Sequence, residues 1–324
     1  QEKMNSYRAM MAQHHQQAPI GQTSVRALTL KQLKDMIEEI YTSKTKYDQK
    51  YAEAKLPRET MEQHMYTYLN QKYGLKNLII EWATAIINGI KKFSIEDNDV
   101  ATFGKILRNE CDEEFRFVQG QVKNTISELL KMYLRGKYPF KQNAEIKEML
   151  NSKMSGVVYE EECADIIKYM YNQEDSEILL TKLRKLYTIP QKNMAEIKKL
   201  SREEQQKALA EKEKNMVEYN LFQKVILDFQ LKSHEKFLKT FLTYFRLVDK
   251  DNNGIINETE FKDLGGYIES HKIEVDPVKM LMVVDPYNHQ QITFSQCVAL
   301  LSSEMIVDGE NSLSILQKLS LDSQ

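Results

Sequence analysis

Glycine and proline are scarce in this 324-residue chain, 11 and 6 respectively, which argues against a sheet-rich fold built on tight turns. Only three cysteines occur, Cys111, Cys163 and Cys297, dispersed and without a CxxC spacing. Such a set argues against a disulfide framework or a thiolate metal site. It reads as buried apolar filler in a reduced, intracellular protein. No apolar run approaches the ~18 residues that a membrane span needs. Charge of one sign is missing too. The net charge is −2 although 28% of residues are charged, and no clustered basic stripe suits nucleic acid. There is no phosphate-cradling glycine loop, HExxH, GxSxG or kinase set, and the acidic runs Glu113–Glu114 and Glu160–Glu162 read as solvated helix starts. The chain is therefore expected not to be an enzyme. It opens on Gln1 rather than Met and has no apolar signal region, as expected of a piece of something longer.

What is abundant is Lys, Glu, Gln, Leu and Met, and the 42% hydrophobic content suffices to bury a core over two or three domains. The expected fold class is all-α: a multi-helix N-terminal domain, a long connector helix and a C-terminal helix-loop-helix pair. Residues 1–27, polar and rich in Gln, His and Ser, form an arm that is disordered or ordered by a partner. Residues 28–190 form the helical domain. Thr29 with Gln32 makes a capping box ahead of Leu30, Leu33, Ile37 and Ile40. Pro57 marks a helix start and Gly74 a helix end. Leu75, Leu78, Ile79, Trp82, Ile86, Ile90 and Phe93 recur at three- and four-residue steps and mark the domain centre. Phe103, Phe115, Phe117, Tyr133 and Tyr138 are read as helical core rather than as a ligand pocket.

Residues 191–231 read as a solvated connector helix opened by a Ser201–Glu204 capping box. Its apolar end, with Phe222, Val225, Ile226 and Phe229, is expected to dock on the C-terminal pair, with a coiled-coil seam or a partner helix as alternatives. Residues 232–304 hold the helix-loop-helix pair. Residues 305–324 form a tail helix whose Leu313, Ile315, Leu316 and Leu319 suit the groove of that pair.

The chemistry concentrates in DKDNNGIINETE, Asp249 to Glu260. Asp249, Asp251 and Asn253 stand at positions one, three and five of a calcium loop, where side-chain oxygens converge on a hard cation. Gly254 stands at six, where the backbone turns at positive φ. Ile255 offers a carbonyl at seven, Asn257 ligates through water at nine, and Glu260 supplies a bidentate carboxylate at twelve. Oxygen donors of this kind suit calcium better than a transition metal. Phe241, Phe245 and Val248 precede the loop and Phe261, Leu264 and Ile268 follow it at helical spacing, while Ile256 is placed to pair with a partner loop. That partner is DPYNHQQITFSQ, Asp285 to Gln296, with Ile292 in register. Tyr287 and His289 replace oxygen donors there, Gln290 replaces the glycine and Gln296 the acid, so the loop is expected to hold no metal.

These two loops resemble the EF-hand superfamily, and the second resembles the atypical C-terminal hands of the spectrin and α-actinin group, where an Asp-Pro opening precedes an Ile-Thr-Phe strand. The resemblance covers residues 232–304 and implies one calcium ion, Ca2+, on Asp249, Asp251, Asn253, Ile255, Asn257 and Glu260. No spectrin repeat or actin-binding segment lies upstream, so actin binding is not implied. KYGLKNLIIEWATAIINGIKKF and GKILRNECDEEFRFVQ are similar in character to helix-rich accessory proteins of cilia and flagella that carry EF-hands. This likeness implies a calcium-binding structural adaptor in a large cytoskeletal assembly, with tubulin or other axonemal proteins as partners and neither nucleic acid nor membrane. The expected location is cytoplasmic, on the microtubules of a ciliary or flagellar axoneme. The alternative is a calcium-responsive regulatory subunit of a phosphatase or kinase.

Overall fold

The structure is a computed structural model that describes residues 26–187, 215–269 and 276–305. Among these residues it is all-α, with twelve helices and two pairs of short strands. Most of the 1–27 arm, residues 191–214 of the connector with its Ser201–Glu204 box, and the tail beyond Met305 lie outside the described residues. No described helix is long and apolar enough to cross a membrane.

The described residues divide into two compact units, one before and including Arg116 together with those from His234 onward, the other from Phe117 to Ser233. This division differs from the expected one. The segment 28–190 is split at Arg116, and the C-terminal pair belongs with the first helices rather than standing alone. The boundary expected near residue 231 falls inside one unbroken helix, Tyr219–Val248. No Gly or Pro interrupts those thirty residues, so nothing local ends the helix.

In the first unit, α1 (Leu30–Glu53) is capped as expected, Thr29 Oγ1 accepting from the Gln32 amide and the Gln32 side chain reaching back. The next helix, α2 (Met61–Tyr73), begins at a second capping box, Thr60 with Gln63, and not at Pro57. It ends at Gly74 in the left-handed region, φ 68°. Helices α3 (Lys76–Phe93) and α4 (Asn98–Leu107) approach closely: a Cβ on Gly104 would lie 2.6 Å from Ile90 Cγ2. Ile79, Ile86 and Ile90 are buried as expected, but Leu75 is exposed and Trp82 sits half-buried, stacked on Tyr73 under the Arg26 guanidinium.

A buried charge network then fixes the segment that follows α4. Lys44 on α1 is nearly inaccessible and pairs with Asp48 at 2.6 Å and Glu113 at 3.3 Å; Arg58 adds bonds to Glu113 at 2.9 Å and Asp48 at 3.2 Å. Removing one member would strand a buried charge.

The second unit is built from most of α5 (Phe115–Lys137), with α6 (Asn143–Met154), β1 (Val157–Tyr159), α7 (Glu160–Met170), α8 (Gln173–Arg184), β2 (Met216–Glu218) and the start of α9 (Tyr219–Val248). Val122, Ile126, Leu130 and Leu134 on α5 stand at four-residue steps and enter one core with Val158, Ile167, Leu179, Phe222, Ile226 and Leu227. The apolar start of α9 is thus covered within its own unit, not by the C-terminal pair. Phe103 and Phe115 are core, whereas Phe117 is 70% exposed and Tyr138 lies at the surface. Two residues apart on a helix, Phe115 and Phe117 face nearly opposite sides and cannot share one core. Sheet was expected only between Ile256 and Ile292; β1 and β2 form a second antiparallel pair.

Ile126→Ala is expected to lower unfolding stability by ~2–5 kcal/mol, whereas Phe117→Ala should stay within about 0.5 kcal/mol. Urea unfolding midpoints of the two variants check this packing.

Candidate metal centre

The second half of α9 buries Leu238, Phe241, Phe245 and Val248 in a cluster completed by Phe261, Leu264, Phe294 and Val298. This apolar frame carries the loop from Asp249 to Glu260. The Asp249 amide still donates to the Phe245 carbonyl at 2.9 Å, so its backbone extends the last turn of α9. Asn252 (φ 52°) and Gly254 (φ 76°) then turn left-handed. Glycine adopts that conformation without steric cost, and asparagine tolerates it better than most residues.

That turn aims backbone donors at Asp249. Its carboxylate accepts from the amides of Asn253 at 3.2 Å and Gly254 at 2.9 Å. Asp251 accepts from the Asn253 side-chain amide at 2.6 Å, while Asn253 Oδ1 accepts from the Ile255 amide at 2.7 Å. Glu260 accepts from the Asn257 amide at 2.9 Å, and Asn257 Oδ1 accepts from the Glu260 amide at 3.0 Å, which caps α10 (Glu258–Glu269). Asp251, Asn253, Ile255, Asn257 and Glu260 line one pocket. Asp249 lies behind it, buried, so all six expected residues meet in one loop. Burial, aided by the neighbouring Asp251 carboxyl, pushes the Asp249 carboxyl up to about 6 against the two amides that favour its charge. A donor set made only of oxygens, with carboxylates crowded at its base, fits a hard divalent cation.

β3 (Ile255–Ile256) pairs antiparallel with β4 (Ile292–Thr293), Ile256 opposite Ile292, and both isoleucines are buried. Between α10 and β4 lies α11 (Pro277–Val284), and α12 (Phe294–Met305) follows β4. The partner loop repeats the backbone of the first. Asn288 (φ 54°) and Gln290 (φ 59°) turn left-handed, and Asp285 accepts from the amides of His289 at 2.8 Å and Gln290 at 2.9 Å. Gln296 accepts from the Thr293 amide at 3.0 Å, as Glu260 does from Asn257. The substituted side chains bind elsewhere in the first unit. His289 Nε2 meets the Lys55 carbonyl at 2.8 Å, and Lys55 Nζ lies 5.3 Å from the Tyr287 ring centre.

Residues far away in sequence close the back of the first loop. A Cβ on Gly254 would collide with the Asn109 side chain, so Asn109 packs directly on the glycine. The Glu113 amide donates to Ser295 Oγ at 3.0 Å. Asp112 bonds His234 Nε2 at 2.5 Å and the Phe115 amide at 3.1 Å, with His234 stacked on Phe115. No local pattern marks these positions, because their partners lie more than a hundred residues along the chain; the NECDEE run shows only that acids cluster there.

The Cys111, Asp112 and His234 donor atoms lie within 4.8 Å of one another, a single such group among the described residues. Sulfur and nitrogen donors would suit a transition metal rather than calcium. Burial pushes the Cys111 thiol far up, toward the neutral form, and Asp112 and His234 already satisfy each other. The group serves as a hydrogen-bonded latch holding the 109–116 segment on α9.

Gly254→Ala is expected to cost ~1–3 kcal/mol, because the new methyl meets both positive φ and Asn109. Adding Asn109→Gly should recover part of that loss in chemical unfolding, since only the collision is relieved.

No protein-family model, curated protein or solved structure matches this chain.

Proposed function

We propose that this protein is a non-enzymatic calcium-binding structural adaptor of a cytoskeletal assembly, with calcium held in the loop Asp249–Glu260. One observation carries the calcium reading: the oxygens of Asp249, Asp251, Asn253, Asn257 and Glu260 are gathered in a single loop around left-handed Gly254. Asp249, Asp251 and Asn253 supply side-chain oxygens, Ile255 a carbonyl, Asn257 a water-borne contact and Glu260 two carboxylate oxygens. Three acids in the set suggest a Kd on the order of 10⁻⁷ to 10⁻⁵ M. Ion binding would draw Glu260 toward the loop, and the strand pair would pass that movement to α12 and to the 109–116 segment.

The cytoskeletal part of the reading, an axonemal microtubule with tubulin or its associated proteins as partners, is supported by the likeness to ciliary accessory proteins alone. Two readouts test the two parts separately. Competition with a chromophoric chelator should give the affinity above, lowered ~100-fold or more by Glu260→Gln, which removes the bidentate charge. Gln296→Glu should add no second site, because Tyr287 and His289 stay in place of donors. Unchanged affinity in Glu260→Gln would contradict the calcium site. Microtubules should co-sediment the wild-type chain, and Asp249→Ala should leave that unchanged while removing its calcium response. Recovery with a phosphatase or kinase and without tubulin would overturn the adaptor reading.

A further inference from the structure

The second unit contains strands that no motif in the sequence announces. β1 and β2 pair antiparallel, Val158 opposite Val217, with Val157 facing Glu218 and Tyr159 facing Met216. Each strand runs straight into a helix, α7 and α9, as β4 runs into α12 and β3, after Asn257, leads into α10. The bonds around the two strand pairs also correspond. The Tyr219 amide donates to the Gly156 carbonyl at 3.0 Å, and the Phe294 amide donates to the Gly254 carbonyl at 2.9 Å. Glu162 accepts from the Tyr159 amide at 2.8 Å, as Glu260 accepts from the Asn257 amide at 2.9 Å.

Laying Val158 on Ile256 therefore aligns the end of α6, β1 and the start of α7 with the Asp249–Glu260 loop residue for residue. Gly156 falls on Gly254 and Glu162 on Glu260. Asn151, Lys153 and Ser155 fall on Asp249, Asp251 and Asn253, and Tyr159 on Asn257. The acid at position twelve survives while the two aspartates are lost, one of them to a lysine. That lysine turns inward: Lys153 Nζ lies 2.8 Å from Glu162 Oε2 and 3.9 Å from the centre of the Tyr159 ring. The Glu162 side chain is 2% exposed.

We infer that the segment Asn151–Glu162 with β2 is a counterpart of the Asp249–Glu260 loop with β4, and that the ammonium of Lys153 occupies the place of a metal ion there. The inference takes its template from the calcium reading of Asp249–Glu260 and its substance from the contacts of Lys153. A buried carboxylate needs a counter-charge, and an ammonium held between that carboxylate and an aromatic face supplies one permanently. With Asn151 and Lys153 in place of two acids, one positive charge balances the loop where a divalent ion would overcharge it. Gly156 stays out of the positive-φ region that Gly254 adopts, and α6 runs on through Met154, so this segment is not curled around an ion. The Asp249–Glu260 loop would then respond to calcium while the Lys153 segment keeps its contacts at any calcium level.

Amide hydrogen exchange on the full chain, in calcium and in excess chelator, tests this. The Tyr219 amide should keep its protection on chelation. Lys153→Met should lower that protection by about tenfold or more, and Lys153→Met with Glu162→Gln should regain much of it, since the uncompensated charge is gone. Loss of Tyr219 protection in the wild type on chelation would overturn the inference, because a metal would then be holding the loop. So would an unchanged Tyr219 amide in Lys153→Met, or a double variant no better protected than the single one. The Phe294 amide is read in the same experiment. If it ignores calcium, the calcium reading of Asp249–Glu260 fails, while the Lys153 variants still decide the present question.

Discussion

Two backbone amides hold the Asp249 carboxylate, and they can do so only because the chain turns left-handed at Asn252 and Gly254. Much of the first unit depends on that turn. It sets Ile255 and Ile256 into register with Ile292 and Thr293, and it presents the Gly254 carbonyl to the Phe294 amide at the start of α12. It also leaves the glycine Cα bare for Asn109 to pack on. A side chain at position 254 would disturb the loop and its contact with the 109–116 segment together. The partner loop shows the cost of departing from this rule. Gln290 adopts the same φ without being glycine, and its side-chain oxygen accepts from the Glu258 amide, so the turn there is maintained by added bonds.

Local chemistry was legible wherever the cause was local. The Thr29–Gln32 box, the stop at Gly74 and the Ile256–Ile292 pairing each depend on a few neighbouring residues, and each stands where the pattern put it. Long-range consequences were not legible. Nothing near Asn109 or His234 reveals that they meet Gly254 and Asp112 across the chain. The unit boundaries failed for a related reason: polar stretches mark solvent exposure, but the boundary inside Tyr219–Val248 lies where one apolar face changes partners. β1 and β2 carry no visible signal in the sequence because three residues are too short for an alternation to show.

In Asp285–Gln296, His289 and Tyr287 engage Lys55 and tie the loop to the connection between α1 and α2. At Asn151–Glu162 the Lys153 ammonium lies against the buried Glu162 carboxylate. Only Asp249–Glu260 keeps carboxylates crowded together with a buried acid pushed up to about 6, an arrangement that a divalent cation would relieve. On this account a single ion acts on a loop already braced by its partner strand and by the helical body of its unit.

Calorimetric titration of the calcium-free chain with calcium tests that account most directly. It predicts one binding event at a stoichiometry of one ion per chain. No binding heat and no bound ion, or two ions per chain, would contradict it.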